Sequence, residues 1–128
     1  MKVSGNAIVL TNGKFDTKSA KTAHGLIRGS KRFIIKSVID DKFHAKYVHS
    51  NKHGNVFMSS TKSKIPVFKN VESFLEAGID VNYCIIGVAS AGGILPKEMR
   101  NDVILALNNN ISIVNGLHSI LNYDSQLK

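Results

Sequence analysis

The stretch Gly13 to Leu26, GKFDTKSAKTAHGL, follows a short apolar strand at Asn6 to Leu10 and leads into a helix. In α/β domains that bind nucleotides, this position holds the phosphate loop. A helix N-terminus presents unpaired backbone N–H groups and a partial positive charge, and both stabilise an anion placed there. Lys14, Lys18 and Lys21 add formal charge to the same end. The stretch therefore predicts an anion site at the start of the first helix.

Two familiar nucleotide-binding fingerprints are missing from this stretch. A P-loop ending at Lys21 and Thr22 needs glycine at the positions that Phe15 and Ala20 occupy. The pattern G-x-G-x-x-G occurs nowhere in the chain. The loop thus indicates anion binding in general and specifies neither ATP nor NAD.

The charge of the 128-residue chain is unevenly distributed. Residues 1–64 carry 13 Lys/Arg against 3 Asp/Glu, whereas residues 65–128 carry 4 against 6. This asymmetry favours a phosphate-bearing ligand, a nucleic acid or an acidic partner, and the alternative is an ordinary solvated lysine-rich face. Nucleic acid is the weakest of these, because the sequence shows neither an aromatic platform nor a recognition helix.

The rest of the composition indicates one soluble domain, residues 1–128, with a single core. The chain opens without an apolar leader, and its longest apolar run, Tyr83 to Leu95, is too short and too glycine-rich to span a bilayer. We therefore expect a cytoplasmic protein that does not bind membranes. Cys84 lies in an apolar strand pattern, which predicts a buried small hydrophobe and makes a reactive thiol the minor interpretation.

Five continuous apolar runs predict parallel strands that are covered on both faces. The runs are Asn6 to Leu10, Phe33 to Ile39, Ile65 to Phe68, Tyr83 to Ala89 and Ile111 to Val114. Helices are predicted between them, capped by Thr17 or Ser19, by Asn70 and at Pro96, with a short terminal helix at Gly116 to Asn122. In the third helix, Lys97, Arg100 and Asp102 are expected to face water. The alternation predicts an α/β fold, a single Rossmann-like open parallel sheet of about five strands with helices on both faces.

Residues 41–64 form a long basic connection that interrupts this alternation. The segment shows no clear helical period, so we expect either a mobile flap over a site or a short helix. It contains His44, His49 and His53, but no carboxylate or thiol lies among them, and we predict no metal site.

Ligands of open parallel sheets bind beyond the carboxyl ends of the strands, so the loops at that edge supply the candidate binding residues. These candidates are Gly13, Lys14, Lys21, Thr22, His24, Asp40, Ser90, Gly92, Gly93, Asn115 and His118. No catalytic residue is assigned among them. The ligand expected from the residues is a phosphate-bearing small molecule.

Several of these candidates have a structural interpretation beside the functional one. Asp40, or its neighbour Asp41, stands where a ribose-binding acid would lie, yet Asp is also common in turns. The pair Gly92-Gly93 allows close approach of a ligand or merely a tight turn. His118 and His24 could contact phosphate or serve as satisfied structural histidines. Gly25 lies inside a helix, which costs up to about 1 kcal/mol relative to alanine, so we expect the sheet or a ligand close to it.

A set of short segments across nearly the whole chain resembles a known domain. The segments are Lys21 to Arg28, Val38 to Asp40, Ile65 to Phe68, Gly87 to Ala89 with Gly92-Gly93 and Leu95-Pro96, and Asn115 to His118. Together they resemble the N-terminal Rossmann-like domain of a poorly characterised family that includes D-glutamate N-acetyltransferase. In that family a larger P-loop-type domain follows, and it is absent from this sequence. The resemblance implies the fold and a ligand cleft, and leaves open whether this chain alone is an enzyme.

A looser likeness covers about half the chain. Ile65 to Glu72, the strand from Tyr83 to Val88 and the helix from Pro96 look like the CoA-binding domain of succinyl-CoA synthetase-type enzymes. Both likenesses imply a nucleotide or a CoA-like phosphate compound as ligand.

Two functions from different classes follow from the sequence. The first is a module that binds a nucleotide- or CoA-like phosphate ligand within a two-domain acyltransferase-like system. Its expected partners are a second copy of the chain or a separate P-loop-type domain. The alternative is an assembly or scaffolding domain that binds no small molecule.

Overall fold

A computed structural model of the chain describes residues 5–29, 32–88 and 97–115, and these residues form seven strands and three α-helices. In chain order the elements are β1 (Gly5–Leu10), a 3₁₀ turn (Lys18–Ala20), α1 (Lys21–Arg28), β2 (Phe33–Ile39), β3 (Tyr47–Ser50), β4 (Val56–Ser59), β5 (Ile65–Phe68), α2 (Val71–Glu76), β6 (Tyr83–Ile86), α3 (Lys97–Asn108) and β7 (Ser112–Asn115). Among the described residues, no helix is long and apolar enough to cross a membrane.

The strands form one mixed, mostly parallel sheet in the order β4-β3-β5-β2-β1-β6-β7. The five strands from β5 to β7 are parallel, and the chain reverses its direction across the sheet between β1 and β6. Because crossovers between parallel strands are right-handed, α1 covers one face, and α2 and α3 cover the other. The last two helices pack against each other. The predicted α/β Rossmann-like fold is thus confirmed.

Two strands of this sheet come from residues 41–64, where the sequence predicted a flap or a short helix. Tyr47–Ser50 and Val56–Ser59 instead pair as an antiparallel hairpin, and β3 also pairs antiparallel with β5. The sheet therefore has seven strands instead of about five. Each hairpin strand is four residues long, so it is too short to show a clear alternation of polar and apolar residues.

Asn70 caps α2 and Cys84 is buried, as predicted. Thr17 caps the 3₁₀ turn Lys18–Ala20, whereas α1 follows Ala20 without a side-chain cap. Pro96 and the predicted terminal helix at Gly116 to Asn122 lie outside the described residues. The Thr17 hydroxyl accepts a hydrogen bond from the backbone N–H of Ser19, and the Asn70 side chain accepts one from that of Ser73. Cys84, in the middle of β6, is fully buried. Burial raises the pKa of its thiol, and the negative charge of Asp102 raises it further, so the thiol stays protonated.

Glycine is required at the end of β6, where the strand stops three residues earlier than predicted. A Cβ atom on Gly87 would lie 2.5 Å from Cγ1 of Val9 and 3.0 Å from Cβ of Ala23. The close approach of α1 to the sheet therefore depends on Gly87. The sheet is not the close neighbour expected of Gly25, because outside the backbone of α1 a Cβ there would meet nothing nearer than Nη2 of Arg28 at 3.9 Å in the described structure. The other expectation, a ligand close to Gly25, stays a prediction.

Candidate ligand-binding cleft

The loop between β1 and α1 is fastened to the end of β2 by Asp40, which is fully buried. Its Oδ2 accepts hydrogen bonds from the Thr11 hydroxyl at 2.6 Å and from the backbone N–H of Phe15 at 3.2 Å. Its Oδ1 accepts one from the backbone N–H of Lys42 at 2.9 Å. These bonds give Asp40 a structural role in fixing the loop, and its exposed neighbour Asp41 is the acid that faces the cleft.

The side chains of Phe15 and His24 pack together beneath the same loop. Phe15 is 2% exposed, and its ring lies 4.6 Å from the His24 ring and 6.3 Å from the Phe43 ring. His24 donates through Nε2 to the carbonyl oxygen of Phe15 at 2.6 Å, since a carbonyl can only accept. A packed aromatic ring therefore occupies the position at which a P-loop needs glycine, and His24 holds this loop to α1.

A cleft of about 310 Å³ opens beyond the carboxyl ends of β1, β2 and β5, beside the reversal of strand order. Seven of its eight lining residues are polar: Asn12, Asp41, Lys69, Asn70, Glu72, Asn101 and Asp102, with Leu105 as the apolar one. Three of the lining side chains are carboxylic acids, and one is an ammonium group. This balance suits hydroxyl or amine groups of a ligand, and it disfavours a phosphate inside the cleft itself.

Asp102 ties the two helices of this face to the β1 loop. The sequence placed it toward water, but it is 6% exposed. Its Oδ1 accepts from the backbone N–H of Val71 at 3.0 Å, and its Oδ2 accepts from Nδ2 of Asn12 at 3.2 Å. Burial raises the pKa of Asp102, the hydrogen bonds from Val71 and Asn12 partly offset this rise, and the negative charge of Asp41 adds to it.

Asn12 is another residue of the cleft that the sequence did not single out. It turns the chain at the end of β1 with a φ of 42°, a left-handed conformation that Asn tolerates. Its Oδ1 is buried and has no hydrogen-bond partner among the described residues. A buried acceptor without a donor is costly, so a hydroxyl or amine that enters the cleft gains a hydrogen bond there. The pair Asn12-Gly13 directly after a strand is the signal that could have identified it.

None of the other predicted site residues that the structure describes lines this cleft. Gly13 adjoins it with a φ of 87°, and a Cβ there would lie 3.3 Å from Oδ1 of Asp41. Lys14 and Lys21 are exposed near the start of α1, Thr22 is half-buried, and none of the three lines the cleft. The side chain of Asn115 and the residues Ser90, Gly92, Gly93 and His118 lie outside the described part of the chain. Within residues 5–29, 32–88 and 97–115, no group of three potential metal ligands is brought together.

The fold and the cleft together define a Rossmann-like domain. The chain belongs to the DUF1611_N family, a Rossmann-like domain of unknown function, whose model matches residues 49–128. The chain is also similar to the crystal structure of a DUF1611 family protein from Anabaena variabilis ATCC 29413, with 26% sequence identity and a TM-score of 0.67. That match covers 98% of this chain and 35% of the Anabaena protein, so the chain spans about a third of that protein's length. No curated protein matches the chain.

Proposed function

We propose that this domain binds a nucleotide- or CoA-like phosphate compound within a larger protein of the DUF1611 type. The observation that carries the proposal is the polar cleft beyond β1, β2 and β5. In this cleft the buried Oδ1 of Asn12 has no hydrogen-bond partner among the described residues. Ligands of open α/β sheets occupy this position.

The sugar and the phosphate of such a ligand contact different parts of this surface. Asp41 and Asn12 offer oxygen acceptors to the hydroxyl groups of a sugar. The acidic cleft repels phosphate, which instead lies beside the exposed ammonium groups of Lys14 and Lys21 at the start of α1. The ligand thus extends from the cleft across Gly13 to the first turn of the helix.

The chemistry of the whole protein belongs to a longer chain than this one. The 35% coverage of the Anabaena protein supports a longer protein with a further domain. The resemblance to the family of D-glutamate N-acetyltransferase implies that this further domain is of the P-loop type. In this arrangement the present domain binds the ligand, and an acyltransferase-like reaction uses groups from both domains.

An assembly role is the second candidate, and one observation favours it. Ile104 and Leu107 lie one turn apart on α3 and are 51% and 48% exposed. Apolar side chains at this spacing suit contact with a second copy of the chain or with a partner domain. An assembly domain of this kind would leave the cleft empty.

Calorimetric titration with acetyl-CoA, CoA, ATP, NAD and NADP tests the ligand-binding proposal. We expect saturable binding of at least one compound. Asp41→Asn should weaken it by about tenfold, the cost of roughly one hydrogen bond. Asp80→Asn is the matched control, because Asp80 is exposed before β6 and does not line the cleft. No binding at millimolar concentration, together with a stable oligomer by light scattering, would favour the assembly role.

A further inference from the structure

The hairpin strand β4 lies at one edge of the sheet. It pairs with β3 on one side, and among the described residues no strand lies on its other side. An edge strand presents unpaired backbone groups, to which an extended polypeptide can add as a further strand. The free side of β4 is therefore a surface with the geometry for strand addition.

The backbone groups of Val56 and Met58 point to this free side. The backbone N–H of Asn51 donates to the carbonyl oxygen of Asn55 at 3.0 Å, and this bond sets the alternation of the hairpin ladder. Hydrogen-bonded pairs recur at every second residue of an antiparallel ladder, so Phe57 bonds to β3, whereas Val56 and Met58 turn their N–H and C=O groups away from it. No other backbone group in the described part of the chain bonds to these two residues. Each of them thus offers one donor and one acceptor to an added strand.

Positively charged side chains lie at both ends of β4. Beyond its last residue, Nζ of Lys46 donates to the Ser60 hydroxyl at 2.9 Å. Before its first residue, the Arg28 side chain lies against the hairpin turn, where a Cβ on Gly54 would be 3.3 Å from Cδ of Arg28. The salt bridge found among the described residues involves neither of these side chains. The edge is thus flanked by positive charge that no described acid neutralises.

The charge around β4 indicates which kind of strand it accepts. Residues 42–70 contain six lysines and three histidines, and neither Asp nor Glu. A second copy of the chain that paired through β4 would bring like charges together, which is unfavourable. An acidic segment instead gains attraction at both ends of the strand.

The side chains of β4 form an apolar surface between the charged ends. Phe57 is 45% exposed, and its ring stacks on the His49 ring at a centroid distance of 5.3 Å with 12° between the planes. Val56 and Met58 lie on the opposite face of the strand and pack partly against the core. Apolar side chains of an added strand therefore have a neighbour on either face.

We propose that β4 binds an extended acidic segment of a partner polypeptide by strand addition. The backbone of the segment bonds to Val56 and Met58, and acidic side chains at its two ends lie near Arg28 and Lys46. A polypeptide matches the alternating donors and acceptors of this edge, whereas a nucleic acid would use only the charge and the Phe57 ring. The proposal does not depend on the proposed function, since neither β4 nor the two cations line the cleft.

Amide hydrogen exchange of the ¹⁵N-labelled chain, followed by NMR with three capped peptides, tests the proposal. The first peptide is Asp-Thr-Val-Ile-Val-Thr-Asp, the second has Lys in place of both Asp, and the third is the first with N-methyl groups on both Val. At saturation the first peptide should slow exchange of the Val56 and Met58 amides by about tenfold and leave that of Phe57 unchanged. The other two should bind at least about tenfold more weakly, because one lacks the attraction and the other lacks two backbone donors.

Two protein variants and a matched control locate the contact. Met58→Pro removes an outward N–H and no bond to β3, so the fold should persist and peptide binding should weaken by about tenfold. Lys46→Gln should weaken binding by about threefold, the usual scale of an exposed ion pair, and it keeps the test decisive should the proline variant fail to fold. Lys97→Gln, an equal loss of charge at the exposed start of α3, should leave binding unchanged.

Four results would overturn strand addition at β4. They are no saturable protection of Val56 and Met58 at millimolar peptide, equal binding of the N-methylated peptide, equal effects of the two lysine variants, and protection of both amides without peptide in a chain that light scattering shows to be a dimer. Binding of oligothymidylate that shifts the Phe57 ring signals and protects neither amide, where the acidic peptide fails to bind, would assign the surface to nucleic acid instead.

Discussion

The hydroxyl of Thr11 donates a 2.6 Å hydrogen bond to Oδ2 of Asp40, and both side chains are fully buried. The bond joins the loop after β1 to the loop after β2, so one buried contact holds two of the segments that surround the cleft. Because a buried carboxylate needs its donors, the position of the loop depends on this pair.

Replacement of Thr11 by valine keeps the shape of the side chain and removes this donor. We expect Thr11→Val to lower the free energy of unfolding by about 1.5–3 kcal/mol, the usual range for a hydrogen bond to a charged group. Urea denaturation measures the change. Thr61→Val, at an exposed position, should stay within about 0.5 kcal/mol of the wild type. Equal effects of the two variants would show that the Thr11–Asp40 bond contributes nothing.

Alanine at two glycines should have opposite effects on stability. Gly87→Ala forces a Cβ against Val9 and Ala23, and we expect it to destabilise the fold by about 1–3 kcal/mol. Gly25→Ala adds a methyl group to α1 at an ordinary van der Waals distance of 3.9 Å from Nη2 of Arg28, and it should stabilise the fold by up to about 1 kcal/mol. Both changes are read from urea midpoints. A tolerated Gly87→Ala would contradict the close packing of α1 on the sheet.

Asp102 should make the fold less stable as the pH rises. Its pKa in the folded protein is raised above the ordinary value of 3.8, mainly by burial, so the folded state binds its proton more tightly than the unfolded state does. The contribution of this group to stability is therefore fully present below pH 3.8, and it is lost as the pH rises through the folded pKa.

The variant Asp102→Asn tests this dependence, because asparagine does not titrate. Relative to the wild type, the variant should gain stability with rising pH across that window and then level off. Urea unfolding at a series of pH values measures the difference. If the difference in unfolding free energy between the variant and the wild type is constant with pH, or changes in the opposite direction, the pKa of Asp102 is not raised.

The thiol of Cys84 should be unreactive while the protein is folded. Its burial and its raised pKa keep it protonated and shielded, so a disulfide reagent at pH 8 should label it only after unfolding. Absorbance of the released thiolate, with and without denaturant, measures both states. Rapid labelling of the native protein would mean that β6 opens to solvent.

The five parallel strands could be predicted from the sequence because strands buried on both faces appear as continuous apolar runs. Ala7 to Leu10, for example, are all fully buried. The hairpin gave no such signal, since Val48 is the one buried residue of the four in β3. A short strand of this kind depends on its pairing with β5, which local sequence does not encode.

The site was harder to predict than the fold, because its key contacts join distant parts of the chain. Helical periodicity places a charged residue such as Asp102 toward water, but its partner Val71 is brought near by the packing of α2 on α3. Asp40 was predicted at the correct strand end, but its hydrogen-bond donors, the Thr11 hydroxyl and the backbone N–H of Phe15, belong to the loop after β1 and reach it only in the folded protein. Sequence position thus indicated the edge of the sheet, and tertiary packing selected which acid faces the cleft.

Comparison of two lysine variants tests the proposed phosphate position most directly. Lys21 is the first residue of α1, whereas Lys52 lies in the β3–β4 turn, whose Gly54 adjoins Arg28 at the other end of the helix. Eight residues of helix span about 12 Å, more than the screening distance of about 10 Å at 0.1 M salt.

Calorimetric titration with whichever of acetyl-CoA, CoA, ATP, NAD and NADP binds the wild type provides the measurement. Lys21→Ala should lose about 1.5–3 kcal/mol of binding free energy, which is about tenfold to a hundredfold in affinity. Lys52→Ala should bind as the wild type does, and neither variant should shift the unfolding midpoint. Equal losses from both variants would show that diffuse charge governs binding, and would contradict a phosphate site at the start of α1.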